Sequence, residues 1–223
     1  MSVTPADIAD FSQFANQQIG QGSATADVLV FAALEEVGPG HQDDLGGVGL
    51  DLGEGEGGDR LHGRQVEGLA RQFVDHSIER AYLALVAGHP APPAGTVRGA
   101  IARSSTNRKK MALVADGRGK HAVTHYRTLE MFDGAALVEC RLETGRTHQV
   151  RVHMASIGHA LLGDPVYGRT PSRLRPLLSG LHFARQALHA AVLGFLHPVS
   201  GEKLRFESTL PADMEGLLVE LRS

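Results

Sequence analysis

The sequence has no tryptophan, a single cysteine and few aromatic residues, which make up 5% of its 223 positions. A core built without large rings must come mainly from Leu, Val, Ala and Ile side chains. The lone Cys140 excludes an intramolecular disulfide and a thiolate-rich metal site. Because Val138 and Leu142 flank Cys140 in an apolar alternation, we expect a small buried residue there. We therefore expect a cofactor-poor protein.

Long hydrophobic runs are also absent. No apolar stretch approaches the ~20 residues that a membrane-spanning helix needs. The first residues lack the basic and then apolar pattern of a secretory signal. These features predict a cytoplasmic protein, which we expect to be a monomer with no membrane partner.

Charge is unevenly distributed along the chain, although the overall net charge is only −3. Residues 1–67 contain 12 acidic and 2 basic residues, a net charge of −10. The remaining residues contain 13 acidic and 20 basic residues, a net charge of +7. A polyanion such as RNA would be attracted to the second part and repelled by the first, although a solvated surface would carry similar charge.

The beginning of the chain is atypical for a folded domain. Residues 38–68 contain 11 glycines in 31 positions, interleaved with acidic residues. Glycine loses much backbone entropy on folding and buries no side chain, so stable strands or helices are not expected there. We predict an acidic, glycine-rich segment over residues 1–64 and a folded domain over residues 65–223.

The folded part shows alternating and helical hydrophobic patterns. A helical pattern covers Val66–Phe73, and a second one, Val150–Ile157, ends at Gly158. A third helix should follow Pro211. Strands are predicted over residues 81–86, 111–115, 122–129, 135–142 and 188–195, with a hairpin turn at Asp133-Gly134. Mainly antiparallel strands with a few helices indicate the α+β class.

The densest cluster of reactive side chains lies at a predicted strand-to-helix turn, residues 142–153. Two arginines, two histidines, two threonines and a glutamine surround Gly145. Such turns direct backbone N–H groups towards anions, and arginine matches the geometry of phosphate. By spacing alone, a charged and exposed helix start explains the same pattern.

Several separated motifs, in the same order, resemble the RluA-type pseudouridine synthases. The similarity covers about two thirds of the chain, and residues 1–64 do not match. The motifs are Glu79–Gly88, Asn107–Met111, Lys120–Tyr126, Glu143–Gly168, Gln186–Ala190 and Gly194–Pro198. The resemblance implies the pseudouridine synthase fold, a mainly antiparallel mixed sheet with flanking helices and a central RNA cleft. It also implies isomerisation of uridine to pseudouridine without a cofactor, in ribosomal RNA of the large subunit or, as second choice, in transfer RNA.

The resemblance also assigns roles to residues of this chain. Tyr82 matches the tyrosine of the active site, where a phenol can stack on a flipped base or relay a proton. Arg151 matches the arginine that pairs with the nucleophilic aspartate and keeps it ionised. We predict that both side chains converge on one cleft. RNA contacts are expected from Arg108, Lys109, Lys110, Arg146, His148 and Gln149.

The nucleophile is where this chain departs from the family. The family carries it in a His-Arg-Leu-Asp segment, and the nearest candidate here is Asp44, three residues after His41. Asp51 is a second candidate without a matching histidine. A catalytically impaired RNA-binding paralogue, or the product of a misread coding frame, is therefore the alternative to an active synthase, and we expect RNA binding with little or no turnover.

A third hypothesis uses the histidines as metal ligands for a hydrolase. His148, His153 and His159 lie five and six residues apart, which puts successive side chains on different sides of a helix. No His-Glu-x-x-His motif or cysteine pair accompanies them. Hydrogen-bonded or RNA-facing histidines explain the pattern better than a metal site.

Overall fold

The computed structural model describes residues 71–72, 75, 77–107, 110–198 and 200–223. The chain divides into two compact units, of which the larger comprises Glu79–Leu193 and Glu207–Ser223, and the smaller includes Gly194–Phe206. The predicted domain boundary near residue 65 lies outside the described residues. So do the predicted acidic segment, residues 1–64, and most of the predicted helix Val66–Phe73.

Strands dominate the described part of the chain. The strands are β1 (Glu79–Ala87), β2 (Ala94–Arg103), β3 (Met111–Val114), β4 (Lys120–Phe132), β5 (Ala135–Leu142), β6 (Leu188–Leu196) and β7 (Lys203–Glu207). The helices are α1 (Gln149–Ser156), a 3-10 turn (Ser172–Leu174), α2 (Arg175–Gly180) and α3 (Ala212–Arg222). None of the helices in this part is long and apolar enough to cross a bilayer.

The strands of the larger unit form a sheet in the order β3-β2-β4-β5-β1-β6, and β7 adjoins β6. The pairs β2–β3, β2–β4, β4–β5 and β1–β5 are antiparallel. One register row places Tyr82 of β1 opposite Cys140 of β5, which in turn faces Tyr126 of β4. A mainly antiparallel sheet with few helices confirms the predicted α+β class.

The β4–β5 hairpin turns at Asp133-Gly134, as the sequence predicts. Gly134 adopts a φ of 73°, a left-handed conformation that side chains with a Cβ tolerate poorly. A register shift between Thr128 and Glu130 interrupts the β4–β5 ladder.

Apolar side chains cover both faces of this sheet, because successive strand residues point in opposite directions. On one face Leu85 packs with residues of the 3-10 turn, α2 and α3, including Leu178 and Met214. On the other face Ala84 and Val86 pack with Val150 and Met154 of α1. The short helix α1 is thereby anchored on one side of the sheet, directly after the turn that carries the cluster of polar side chains.

The sequence patterns located most elements and missed β2, β7, α2 and the 3-10 turn. Strand β2 follows three prolines and includes two glycines, so its first residues read as part of a turn. Strand β7 and helix α2 have five and six residues, too few for a clear hydrophobic period. The helix predicted from residue 150 begins one residue earlier and ends before Gly158, whose φ is 87°.

Candidate functional site

Tyr82 and Arg151 lie on the same face of the sheet. The half-buried ring of Tyr82 packs against the apolar cluster that contains Val150, the residue preceding Arg151 on α1. This arrangement follows from the strand alternation, which turns Tyr82, Ala84 and Val86 towards α1. Their convergence on a single RNA cleft stays a prediction.

Arg151 makes a buried ion pair with Asp164. Its Nε and Nη2 atoms donate to the two carboxylate oxygens of Asp164 at 2.8 and 2.9 Å. Arg151 is 3% exposed and Asp164 is 5% exposed, so the pair is shielded from water. The resemblance supplied only a nucleophilic aspartate as the partner of Arg151, and both candidates for it, Asp44 and Asp51, lie outside the described residues.

The charge of Asp164 is stabilised from three sides. Burial alone would raise the pKa of Asp164, but the hydrogen bonds and the charge of Arg151 lower it below its usual value. The backbone N–H groups of Val166 and Tyr167 also donate to Oδ1, at 2.8 and 3.1 Å. Asp164 is therefore an ionised anchor that fixes both Arg151 and the backbone of the following turn.

Tyr167 connects this ion pair with two other parts of the site. Its ring lies under the guanidinium of Arg151, with Cζ at 4.8 Å from the ring centroid. Its hydroxyl accepts a hydrogen bond from the backbone N–H of Met111 at 2.8 Å and lies 2.7 Å from Nδ1 of His148. Burial raises the pKa of Tyr167, so the phenol stays protonated at neutral pH.

His148 precedes α1 in a strained backbone conformation. Its φ of 58° and ψ of 23° are left-handed, which is uncommon for a residue other than glycine. Burial, followed by the positive charge of Arg151, lowers the pKa of His148 to about 4. The imidazole is neutral at pH 7 as a result.

Gln149 lies beneath the turn and is 1% exposed. Its Oε1 accepts from the Thr144 hydroxyl at 2.7 Å and from the Arg146 backbone N–H at 3.0 Å. Its Nε2 donates to the carbonyl of Val123 and the hydroxyl of Thr124 at 2.9 and 3.0 Å. The sequence predicts an RNA contact for Gln149, whereas in this conformation its amide is used inside the protein to fold the turn against β4.

His153 lies one turn further along α1 and is fully buried. Its Nδ1 is 2.9 Å from the hydroxyl of Thr124, while Nε2 has no hydrogen-bond partner within the described residues. Burial, followed by the effect of His121, lowers the pKa of His153 to about 4. His153 therefore belongs to the interior and offers no contact to a ligand in this conformation.

The predicted basic contacts are only partly described. Arg146 is half-buried and donates from Nε to the carbonyl of His121 at 3.0 Å. Lys110 closes the loop between β2 and β3, with hydrogen bonds that join it to Asn107 and Ser104. Arg108 and Lys109 lie outside the described residues.

A second arginine lies near the turn. Arg80 is 7% exposed, and a Cβ placed on Gly145 would collide with its Nη1 atom. An alanine at position 145 would therefore require the end of the Arg80 side chain to shift.

Sequence reasoning gave no role to Asp164, Tyr167 or Thr144. Asp164 and Tyr167 lie inside the motif that carries the resemblance. The only local feature of the sequence that could have drawn attention to them is the position of Asp164 directly after Gly163. Their partners lie on distant segments, so hydrophobic periodicity could not find them. In the described part of the chain, no three His, Cys, Asp or Glu side chains are grouped as metal ligands.

Comparisons with known proteins agree with this architecture. The family model described as RNA pseudouridylate synthase matches residues 62–156. Ribosomal large subunit pseudouridine synthase D of Zymomonas mobilis is 62% identical over 148 residues, which are 66% of this chain and 46% of that protein. The protein of the same name in Nitrosomonas europaea is 49% identical over 155 residues, covering 70% of this chain and 44% of that protein.

Two human structures share the fold. Human RNA Pseudouridylate Synthase Domain Containing 1 superposes with a TM-score of 0.53 at 30% identity, covering 66% of this chain and 60% of that chain. Human RNA Pseudouridylate Synthase Domain Containing 4 gives a TM-score of 0.57 at 26% identity, covering 70% and 67%.

The chain spans slightly less than half the length of the curated relatives described above. Within that span, the matched family model, the high identity and the shared sheet agree with the motifs that the sequence contains. The chain carries a domain that belongs to the RluA-type family of RNA pseudouridine synthases.

Proposed function

We propose that this chain binds structured RNA, with large-subunit ribosomal RNA as its substrate, and isomerises a uridine to pseudouridine. The observation that carries the proposal is the arrangement of Tyr82 and Arg151 on one face of the sheet. Identity of 62% to a ribosomal large subunit pseudouridine synthase supports the choice of ribosomal RNA over transfer RNA as the substrate. Its place of action would be the cytoplasm, and it would act as a monomer without a cofactor.

In the proposed reaction the target uridine leaves its stack and enters the space beside Tyr82. Unstacking costs a few kcal/mol, and least where the RNA is already single-stranded. A carboxylate attacks the ribose carbon and binds to it as the N-glycosidic bond breaks, and the released base rotates. A ring carbon of the base then bonds to the ribose as the bond to the carboxylate breaks. That carbon loses its proton, and the freed ring nitrogen takes one up. Tyr82 stacks on the base and relays the proton through its hydroxyl, and Arg151 stabilises the attacking carboxylate in its ionised form.

Arg151 has donors available for that second carboxylate. A guanidinium carries five N–H groups, and Asp164 accepts hydrogen bonds from two nitrogen atoms, Nε and Nη2. The Nη1 group is left for the nucleophile, for which Asp44 is our first candidate and Asp51 the second. Asp164 is not the nucleophile in this scheme because its oxygens already accept from Arg151, Val166 and Tyr167.

Phosphate contacts in the proposal come from Arg146 and from the loop with Arg108, Lys109 and Lys110. Half-buried Arg146 is held by the carbonyl of His121, which pre-orders its guanidinium next to the turn. Gln149 contributes indirectly, as the side chain that folds this turn.

RNA binding without turnover is the second candidate function. It is favoured by one observation, the absence of a His-Arg-Leu-Asp segment from the sequence. In that case the basic part of the chain and Tyr82 would still bind RNA.

The test is pseudouridine formation on large-subunit ribosomal RNA by the purified chain, beside the Zymomonas mobilis relative. We expect slow product formation by this chain and a loss of product in Tyr82→Phe, because the phenol oxygen is removed while the stacking ring remains. Tyr126→Phe is the matched control, since within the described residues the hydroxyl of Tyr126 donates its hydrogen bond to the carbonyl of Pro92. RNA binding without product in the unmodified chain would favour the second candidate, and neither binding nor product would reject both.

A further inference from the structure

The hydroxyl of Tyr167 can donate one hydrogen bond, and it lies within hydrogen-bonding distance of two groups, the backbone N–H of Met111 and Nδ1 of His148. The Met111 backbone N–H can only donate, so the hydroxyl oxygen is the acceptor in that contact, at 2.8 Å. The proton of the hydroxyl then needs an acceptor of its own. Within the described residues, Nδ1 of His148 at 2.7 Å is the acceptor recorded for it.

The tautomer of His148 follows from this arrangement. A neutral imidazole carries its proton on one nitrogen and accepts with the other. If Nδ1 accepts from Tyr167, the proton must reside on Nε2. The opposite tautomer would leave the half-buried Tyr167 proton without an acceptor, which costs free energy.

We propose that Tyr167 is a positioning residue that keeps the imidazole proton of His148 on Nε2, so that His148 offers a neutral N–H donor to an acceptor oxygen of bound RNA. The proposal rests on the proposed function for its ligand, and on the contacts of Tyr167 for its geometry. Within the described residues, Nε2 of His148 has no hydrogen-bond partner, so this donor is available.

The rest of the site fixes Tyr167 in place. Asp164 accepts from the backbone N–H of Tyr167, and Arg151 lies over its ring. The rings of His148 and Tyr167 meet edge to face, with centroids 5.4 Å apart and an interplanar angle of 74°. The low pKa of His148 agrees with a neutral donor at pH 7.

The tautomer can be measured without RNA. Long-range nitrogen–proton NMR correlations distinguish a protonated from an unprotonated imidazole nitrogen, and His148→Gln identifies the signals of His148. We expect an unprotonated Nδ1 in the unmodified chain, and a shift towards a mixture of tautomers in Tyr167→Phe. Tyr126→Phe removes another hydroxyl of the domain and should leave these signals unchanged. A protonated Nδ1, or unchanged signals in Tyr167→Phe, would overturn the proposal whether or not the chain binds RNA.

Whether the Nε2–H group of His148 donates to RNA is tested by a double-mutant cycle, in which the affinity for labelled oligouridylate is measured. Tyr167→Phe should weaken binding by about threefold to tenfold, the usual effect of one neutral hydrogen bond. Glutamine places an N–H near the position of Nε2 and has no tautomers. In the His148→Gln background, Tyr167→Phe should therefore cause little further loss. An equal loss in both backgrounds would mean that Tyr167 acts through Met111 alone, and the proposal would be wrong.

The acceptor oxygen is a phosphate oxygen of the backbone or a carbonyl oxygen of the base. Repeating the cycle with an abasic oligomer of the same length assigns it. A retained effect of Tyr167→Phe indicates the backbone, and a lost effect indicates the base. If the unmodified chain binds neither oligomer, the proposed function fails, together with the RNA contact of His148.

Discussion

A buried histidine in this domain links folding stability to pH. His153 is fully buried, and burial lowers its pKa from 6.5 to about 4. Between these two values the unfolded chain binds more protons than the folded one, so stability rises with pH. The contribution is fully present above pH 6.5 and is lost as the pH falls towards about 4.

Replacing His153 by glutamine should therefore reduce the acid sensitivity of the fold. Glutamine can still hydrogen-bond with the hydroxyl of Thr124 but cannot take up a proton. Between pH 7 and pH 4, the free energy of unfolding should fall by on the order of 1–3 kcal/mol less in His153→Gln than in the unmodified chain.

Urea denaturation at a series of pH values measures this difference. His148 has a similarly low pKa and stays in both proteins, so its effect cancels. Parallel curves for the two proteins would contradict the assignment of a low pKa to His153.

At the scale of elements, the segment after α1 depends on a tight backbone approach. Gly163 has a φ of 68°, and a Cβ added to it would lie 2.2 Å from the carbonyl oxygen of Arg185. Backbone cannot move aside as a flexible side chain can. The adjacent Asp164 holds Arg151, so this approach also sets the position of the ion pair.

Gly163→Ala should be considerably more destabilising than Gly158→Ala. Gly158 has a φ of 87°, and nothing lies within 4 Å of its added Cβ, so alanine there costs about 1–2 kcal/mol for the left-handed backbone. Gly163→Ala adds the collision with Arg185 and should cost at least about 2 kcal/mol more. Equal losses in urea denaturation would show that the backbone around Gly163 adapts freely.

The salt dependence of RNA affinity tests whether the loop between β2 and β3 contacts RNA. Replacing Arg108, Lys109 and Lys110 together by glutamine should reduce the slope of log affinity against log salt by about two to three units, if each contacts a phosphate. The matched control replaces Arg173, Arg175 and Arg222, which belong to the 3-10 turn, α2 and α3.

Both triple variants change the net charge equally. If affinity depends only on overall charge, the two slopes will fall together. A slope that changes only in the Arg108, Lys109 and Lys110 variant identifies this loop as part of the RNA path.

At the scale of the whole molecule, catalysis in the proposed mechanism depends on whether a carboxylate from the acidic first part meets Arg151. Nucleophilic chemistry needs the attacking group to be placed within a fraction of an ångström. The sequence around Asp44 and Asp51 lacks the family segment that places it. We therefore expect slow turnover, far below that of the Zymomonas mobilis relative.

Asp44→Asn should abolish the remaining product, because it removes the proposed nucleophile. RNA affinity should stay nearly unchanged, because the lost charge belongs to the acidic part of the chain and not to the basic part. Asp51→Asn is its matched control, with the same change of charge. Loss of product in Asp51→Asn alone would transfer the role of nucleophile to Asp51. Turnover equal to that of the relative would contradict the expectation of impaired catalysis.

The sequence by itself determined most of the strands, their faces and the family. Alternation over residues 122–129 and 135–142 is a local property, so β4, β5 and the turn between them follow from it directly. The same holds for the placement of Tyr82 with Ala84 and Val86 on one face of β1. The motifs identified the family because their residue types and order are written in the chain.

Only the tertiary structure decided the partners of the polar side chains. Tyr167 meets Met111 across 56 positions, and Gln149 meets Val123 across 26, separations at which no sequence period operates. Burial then determined the roles, because an enclosed amide must bond within the protein whereas an exposed one can bind RNA. For this reason the sequence predicts an RNA contact for Gln149, whose amide lies in the interior, and Asp164 was overlooked although it holds Arg151.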